Sequence, residues 1–189
     1  MKDDALFTES SLSHELKYDG KVLHLYKDDI AMPNGVKSTR EYCVHGGAVA
    51  VVPLTADGEV ICVRQYRYAM KQVMLEIPAG KLEYPNGVRE DAYLAAMREL
   101  REETGFRADR LTPIGDLVTS PAILTEVIHL YLAKDLIPGE TDFDEDEFIE
   151  IVKIPLDVLA GMIISGEVTD AKTQAAVMKV WAMKQKGLI

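Results

Sequence analysis

The sequence predicts an α+β fold: one domain built on a mixed β-sheet with helices, preceded by a small β-rich appendage. Three observations lead there. The 189 residues suit one domain with an extension better than two full domains. The hydropathy pattern runs strands, helix, strands, helices, which is the order of a layered mixed-sheet protein. Finally, 48% hydrophobic residues is ordinary for a chain that buries a core of useful size.

Residues 1–43 form the appendage, and residues 44–189 the main domain. In the appendage Val22, His24 and Tyr26 alternate with Leu23, Leu25 and Lys27, as in a strand. Pro33-Asn34-Gly35 signals a turn, and a further strand covers residues 38–44. Two or three strands alone are marginally stable, so this segment must pack on the main domain or on a partner subunit.

After the junction at His45-Gly46-Gly47, residues 48–54 read as a buried strand, and Asp57-Gly58 is a hairpin signal leading to a return strand at 59–66. A short strand at 75–78 and a Gly- and Pro-containing loop lead to a helix over 89–104, which Gly105 ends in a left-handed conformation. Strands follow at 111–118 and 127–133, then an acidic loop at 138–147 and a strand at 148–154. Pro155 suits the first residue of a helix that Gly166 terminates. Asp170 or Thr169 caps a last helix over 171–186.

Bulk properties exclude several roles. A net charge of −10 argues against a nonspecific nucleic-acid binder, though a local metal ion and a few arginines can still bring an anionic small molecule to a site. No apolar run reaches the roughly 18 residues of a membrane span, and the opening MKDDALFTES lacks a signal-peptide pattern, so the expectation is a cytoplasmic protein without membrane contacts. Cys43 and Cys62 sit in strand-like stretches as reduced thiols and lack the CxxC pattern of a zinc site. His14, His24, His45 and His129 do not cluster and read as structural or surface residues.

The informative stretch is Arg98-Glu99-Leu100-Arg101-Glu102-Glu103-Thr104-Gly105-Phe106. On a helix Glu99, Glu102 and Glu103 lie along one face. Clustered carboxylates repel each other, and near a helix C-terminus the dipole disfavours them. A hard cation such as Mg²⁺ wants oxygen ligands and relieves that repulsion. The plain alternative for the triplet alone is a solvated acidic face paired with Arg98 and Arg101.

The wider pattern resembles the Nudix box, Gx5Ex7REUxEExGU with U a bulky apolar residue. Glu90, Arg98, Glu99, Leu100, Glu102, Glu103 and Gly105 fall at its offsets, and Phe106 fills the last position with an aromatic. The family's leading glycine should stand at position 84, which is Tyr; Gly80 lies ten residues before Glu90. Residues 76–83 resemble the usual approach to the box, so the loop at 81–89 carries an insertion of four residues. The resemblance covers roughly residues 45–189 and implies a Nudix-like α/β/α sandwich around a mixed sheet. It implies Glu99 and Glu103 as principal metal ligands, with Glu102 acting directly or through water. Ala79 offers a backbone carbonyl, and Glu90 and Arg98 orient the ligands. The implied cofactor is Mg²⁺, with Mn²⁺ as the alternative.

Three features resemble the ADP-ribose pyrophosphatase group. Val63-Arg64-Gln65-Tyr66-Arg67-Tyr68 resembles its substrate-binding strand; arginine forks suit phosphate oxygens. Arg64 and Arg67 are three apart, on opposite strand faces, so at most one of them reaches substrate without a bend, and Arg67 is the choice; exposed strand arginines are the plain alternative. Pro121, sixteen residues after Gly105, resembles the subgroup's marker proline, although Ser120-Pro121-Ala122-Ile123 lacks the expected Gly-aromatic continuation. The appendage resembles the subgroup's dimerisation segment, which implies a homodimer.

The implied reaction is Mg²⁺-dependent hydrolysis of ADP-ribose to AMP and ribose 5-phosphate. The alternatives are a pyrophosphatase for another nucleotide sugar such as GDP-mannose and a noncatalytic ADP-ribose-binding sensor; the retained box carboxylates speak against the sensor. Residues 145–150 resemble the loop that supplies the group's catalytic glutamate, directly before an aromatic. That implies Glu147 as general base, with Glu145 as the alternate and Glu102 as the fallback.

Overall fold

A computed structural model of the chain describes residues 4–143 and 148–189. It divides into two compact units, Met1–Gly46 with Ser120–Glu126, and Gly47–Thr119 with Val127–Ile189.

The first unit is an antiparallel meander of β1 (Ser10–Asp19), β2 (His24–Ala31) and β3 (Lys37–Val44), in spatial order β1-β2-β3. The strand β1 has a period-2 signal of its own, Leu12, His14, Leu16 and Tyr18, yet all ten of its residues are exposed. The segment Ser120–Glu126 joins this unit through the backbone of Cys43, which donates to the Ile123 carbonyl at 2.8 Å and accepts from Thr125 N at 3.1 Å. Among its described residues only Ile30 is a buried hydrophobic, so the meander has almost no core of its own.

The second unit carries the larger core. Its strands are β4 (Ala48–Pro53), β5 (Glu59–Arg67), β6 (Gln72–Glu76), β7 (Ala79–Lys81), β8 (Phe106–Arg107), β9 (Leu111–Val118), β10 (Val127–Ala133), β11 (Ile137–Pro138) and β12 (Ile149–Pro155). Its helices are α1 (Ala92–Thr104), α2 (Leu156–Ser165) and α3 (Ala171–Gln185). A mixed sheet runs β7-β4-β10-β9, with β4 and β10 parallel; β12-β5-β6 form an antiparallel sheet, and β8 pairs with β11.

The strand β4 shows why this is a sandwich. All six of its residues are buried, because both faces of the sheet are covered. Val49 and Val51 pack with Ala95, Ala96 and Leu100 of α1. Ala50 and Val52, alternating with them, pack with Leu156 and Leu159 of α2 and Ala176, Val177 and Val180 of α3. Each such valine contributes on the order of 1.5–3 kcal/mol of burial.

Element ends follow local chemistry. Helix α1 starts at Ala92, three residues later than the sequence pattern suggests, because the Asp91 carboxylate accepts from Tyr93 N and Leu94 N and sets the cap there. Glu90 therefore lies outside the helix. Gly105 ends it with φ 73°, a left-handed conformation that favours glycine. Pro155 is the extended cap of α2 rather than its first helical residue. The strand expected at 75–78 is instead β6, ending at Glu76; Ile77 N leaves the ladder to donate to Thr173 Oγ1 at 3.0 Å.

The four-residue insertion closes on itself. Glu90 N donates to the Glu83 carbonyl at 2.8 Å, forming a neck, and the excess chain turns within it through Gly87 N to Tyr84 O and Val88 N to Pro85 O. The helix beyond the neck keeps its register.

Candidate active site

Helix α1 carries the carboxylates. Leu100 is fully buried in the core, while Glu99 and Glu103 meet Gly80 and Ala79 of β7. Glu99 and Glu103 are both buried, unusual for charges near a helix C-terminus. Glu103 Oε2 accepts from Ala79 N at 3.0 Å. Glu99 packs against Gly80 so closely that a Cβ on that residue would overlap its carboxylate. The glycine is thus a cradle for Glu99.

Arg98 organises the remaining acids. Its Nε and Nη2 donate to Glu90 at 3.2 and 3.0 Å, and Nη1 donates to Glu99 Oε1 at 2.7 Å and Glu102 Oε2 at 2.9 Å. Burial works against the Arg98 charge, but the surrounding Glu90, Glu99 and Glu102 outweigh it and raise its pKa. The hydrogen bond from Arg98 in turn lowers the pKa of Glu90 despite some desolvation. Arg101 binds Glu102 Oε1 at 2.9 Å and Asp142 at 3.2 Å.

Among the described residues no three His, Cys, Asp or Glu side chains form a ready-made metal cage. Arg98 spans Glu99 and Glu102, while Glu103 lies on the Ala79 amide. The donor chemistry nevertheless suits a hard cation: three carboxylates along one helix beside the backbone of β7, all oxygen. The Gly80 cradle leaves room for one of them to be buried there.

The two strand arginines diverge as their spacing predicts. Arg64 pairs with exposed Glu150 on β12 at 2.5 Å. Arg67 forks onto Glu76, Nε to Oε1 and Nη2 to Oε2, both at 2.7 Å. The Glu76 hydrogen bond outweighs desolvation and raises the Arg67 pKa, with the charge of Glu103 adding to the effect. Of the helix carboxylates, Glu103 is the one whose charge reaches Arg67. Pro121 belongs to the segment Ser120–Glu126 of the first unit.

Glu147 and its alternate Glu145 lie outside the described residues. The stem of their loop is fixed to the end of α1. Asp142 N donates to the Glu102 carbonyl at 3.1 Å, and a Cβ on Gly105 would meet Gly139 O at 3.1 Å.

Sequence reasoning missed Glu76 and Lys172. Glu76 is 1% exposed, and Lys172 Nζ donates to its Oε2 at 2.5 Å. A lone acid inside the apolar run Val73-Met74-Leu75-Glu76-Ile77 was an available signal, since a buried charge needs partners. Lys172 had no comparable signal. The cysteines are free; burial pushes the Cys62 thiol up to about 12, which makes it unreactive, and Cys43 is half-buried. His14, His24 and His129 pair with Asp28, Asp19 and Asp116 at 2.7, 2.6 and 2.8 Å.

The carboxylate helix, the Gly80 cradle on β7 and the sandwich around them define a class. Residues 44–175 match the NUDIX domain, and the chain belongs to the Nudix family. It is a hydrolase, similar across nearly its whole length to proteins of the ADP-ribose pyrophosphatase kind. The ADP-ribose pyrophosphatase of Bacillus subtilis (strain 168) is 41% identical over 171 residues, covering 89% of this chain and 90% of that one. A protein of Bacillus methanolicus named methanol dehydrogenase activator is 40% identical over 174 residues, covering 91% and 92%. A crystal structure of an ADP compounds hydrolase superposes with a TM-score of 0.83 at 26% identity, covering 97% and 98% of the two chains.

Proposed function

We propose that the chain hydrolyses the pyrophosphate bond of ADP-ribose, giving AMP and ribose 5-phosphate, with Mg²⁺ as its metal. The observation that carries the reading is the convergence of buried Glu99 and Glu103 on Ala79 and Gly80 of β7, with the charge of Glu103 felt at Arg67. Similarity to the Bacillus subtilis enzyme over 89% of the chain supports the substrate.

Glu99, Glu103 and Glu102 would hold the metal with the carbonyl of Ala79. When bound, Mg²⁺ supplies charge neutralisation of the diphosphate and acidification of a water. Glu90 and Arg98 orient the carboxylates through the hydrogen bonds described above. Arg67 binds a diphosphate oxygen with the edge of its guanidinium that Glu76 leaves free. Arg64, engaged with Glu150 at the surface, is the weaker candidate. Pro121 serves as the subgroup's specificity marker. Glu147 takes the proton from the attacking water, in keeping with a loop whose described stem is fastened to α1.

We also propose a homodimer built with residues 1–43. Leu12, Leu16 and Tyr18 on β1 are 52%, 45% and 59% exposed, on a strand without a buried residue in a unit with almost no core. Among the described residues no helix is long and apolar enough to cross a membrane.

The deciding experiment is a hydrolysis panel of ADP-ribose, GDP-mannose, ADP-glucose, NADH, diadenosine polyphosphates and 8-oxo-dGTP, with Mg²⁺ and with Mn²⁺. ADP-ribose should show the highest kcat/KM, with AMP and ribose 5-phosphate as products. A preference of about tenfold or more for GDP-mannose overturns the substrate assignment.

A further inference from the structure

We propose that Lys172 is a positioning residue for substrate binding: by holding the Glu76 carboxylate, it presets the Arg67 guanidinium for a nucleoside diphosphate. The inference rests on the reading of Arg67 as a diphosphate contact.

The geometry begins with a costly feature. Glu76 ends β6 almost completely buried, and a carboxylate there must be matched by donors. Burial alone pushes its pKa up; the hydrogen bonds and charges of Arg67 and Lys172 more than reverse this, so it stays charged. Arg67 covers both carboxylate oxygens with its Nε and Nη2 edge. One arginine already neutralises one glutamate, so the added lysine is not needed for charge balance. Its charge is offset separately by Asp170, 3.0 Å from Lys172 Nζ.

Lys172 links Glu76 to a rigid helix end. Asp170 caps α3 by accepting from Thr173 N at 2.9 Å and Thr173 Oγ1 at 2.6 Å. The same Thr173 hydroxyl accepts from Ile77 N. The first turn of α3 therefore grips both the side chain of Glu76 and the backbone that follows it. Three residues after Glu76, Ala79 N reaches Glu103. Arg67 is thus aimed by the same chain segment that leads into β7 beside the helix carboxylates.

Lys172 itself is only 11% exposed and is engaged on two acids, which suits a support and not a ligand contact. The Arg67 side chain is 41% exposed, and its Nη1 edge is turned from Glu76. A guanidinium fixed before the ligand arrives loses less rotamer freedom on binding, so the support acts on affinity.

The test is a double-mutant cycle on the full chain with steady-state kinetics on ADP-ribose. Lys172→Met should lower kcat/KM by about tenfold, mainly through KM, as expected for a supporting partner. Lys172→Arg should recover most of that loss. In an Arg67→Ala background Lys172→Met should change kcat/KM by less than about twofold, because the residue it acts through is gone. Should Lys172→Met fail to fold, Lys172→Gln, which keeps a donor for Glu76, carries the same comparison. An equal loss from the Lys172 change in both backgrounds, or a wild-type KM in the single variant, overturns the inference. A wild-type KM in Arg67→Ala would instead overturn the substrate role of Arg67, and this inference with it.

Discussion

Gly80 and Glu99 occupy space that only one of them can fill: a methyl group on the glycine would overlap the glutamate's carboxylate. The backbone at Gly80 is not in the left-handed region, so alanine is conformationally allowed there. The conflict is therefore steric and confined to Glu99. Gly80→Ala should lower kcat by roughly 10²-fold or more by expelling the carboxylate, with a small change in Tm. A kinetic assay beside a thermal melt checks it; wild-type turnover would remove Glu99 from the site.

Glu103→Gln keeps an oxygen to accept from Ala79 N but removes a negative charge beside Glu99 and Glu102. The contact with β7 should hold, and Tm should stay level or rise. Turnover in Mg²⁺ should drop by about 10²-fold or more, the scale at which lost charge stabilisation is felt. Near-normal turnover would sink the role of the Glu99–Glu103 pair.

Glu147→Gln should lower kcat by about 10²–10⁴, the usual contribution of a general base, with KM and metal affinity nearly unchanged. Raising the pH should restore part of the rate as hydroxide replaces the base. If Glu147→Gln stays active and Glu145→Gln collapses, the base sits two residues earlier; if both stay active, Glu102 takes the role.

Acid should destabilise the fold through Glu76. Burial alone raises its pKa, but Arg67 and Lys172 outweigh this, so the folded value lies below the ordinary one of about 4.3. A depressed folded pKa contributes stability above the unfolded pKa, lost as pH falls through the folded one. Glu90, lowered by Arg98, acts in the same direction. The Tm should decline below about pH 4.5, and less steeply in Glu76→Gln. Equal slopes in the two proteins would mean that Glu76 does not titrate as argued.

Light scattering at micromolar concentration should give twice the 21.0 kDa chain mass. Leu12→Glu with Leu16→Glu should shift the protein to monomer by placing charge on exposed apolar positions of β1. A wild-type protein found only as a monomer overturns the dimer.

Much of the carboxylate helix was legible in the sequence because its determinants are local. Gly105 ends it, and the spacing of Glu99, Glu102 and Glu103 follows from the helical repeat; its start, set by the Asp91 cap, lay three residues later than the pattern suggested. The strands at Leu111–Val118 and Val127–Ala133 were legible for the same reason, since alternation and flanking turns act within a few residues. The family box, a pattern of short spacings, was therefore readable too. The partners of the charges were not. Glu76 meets a lysine 96 residues later, and Gly80 is shaped by a glutamate on a different element. Arg64 and Arg67 were separable by strand face, but only packing decided that one meets exposed Glu150 and the other buried Glu76. The sequence placed four extra residues within 81–89 without their path; the backbone pairing of Glu83 with Glu90 confines them to an excursion. Periodicity records which side of an element is buried. It does not record which distant group satisfies a buried charge, because that pairing exists only after the sheets and helices have packed.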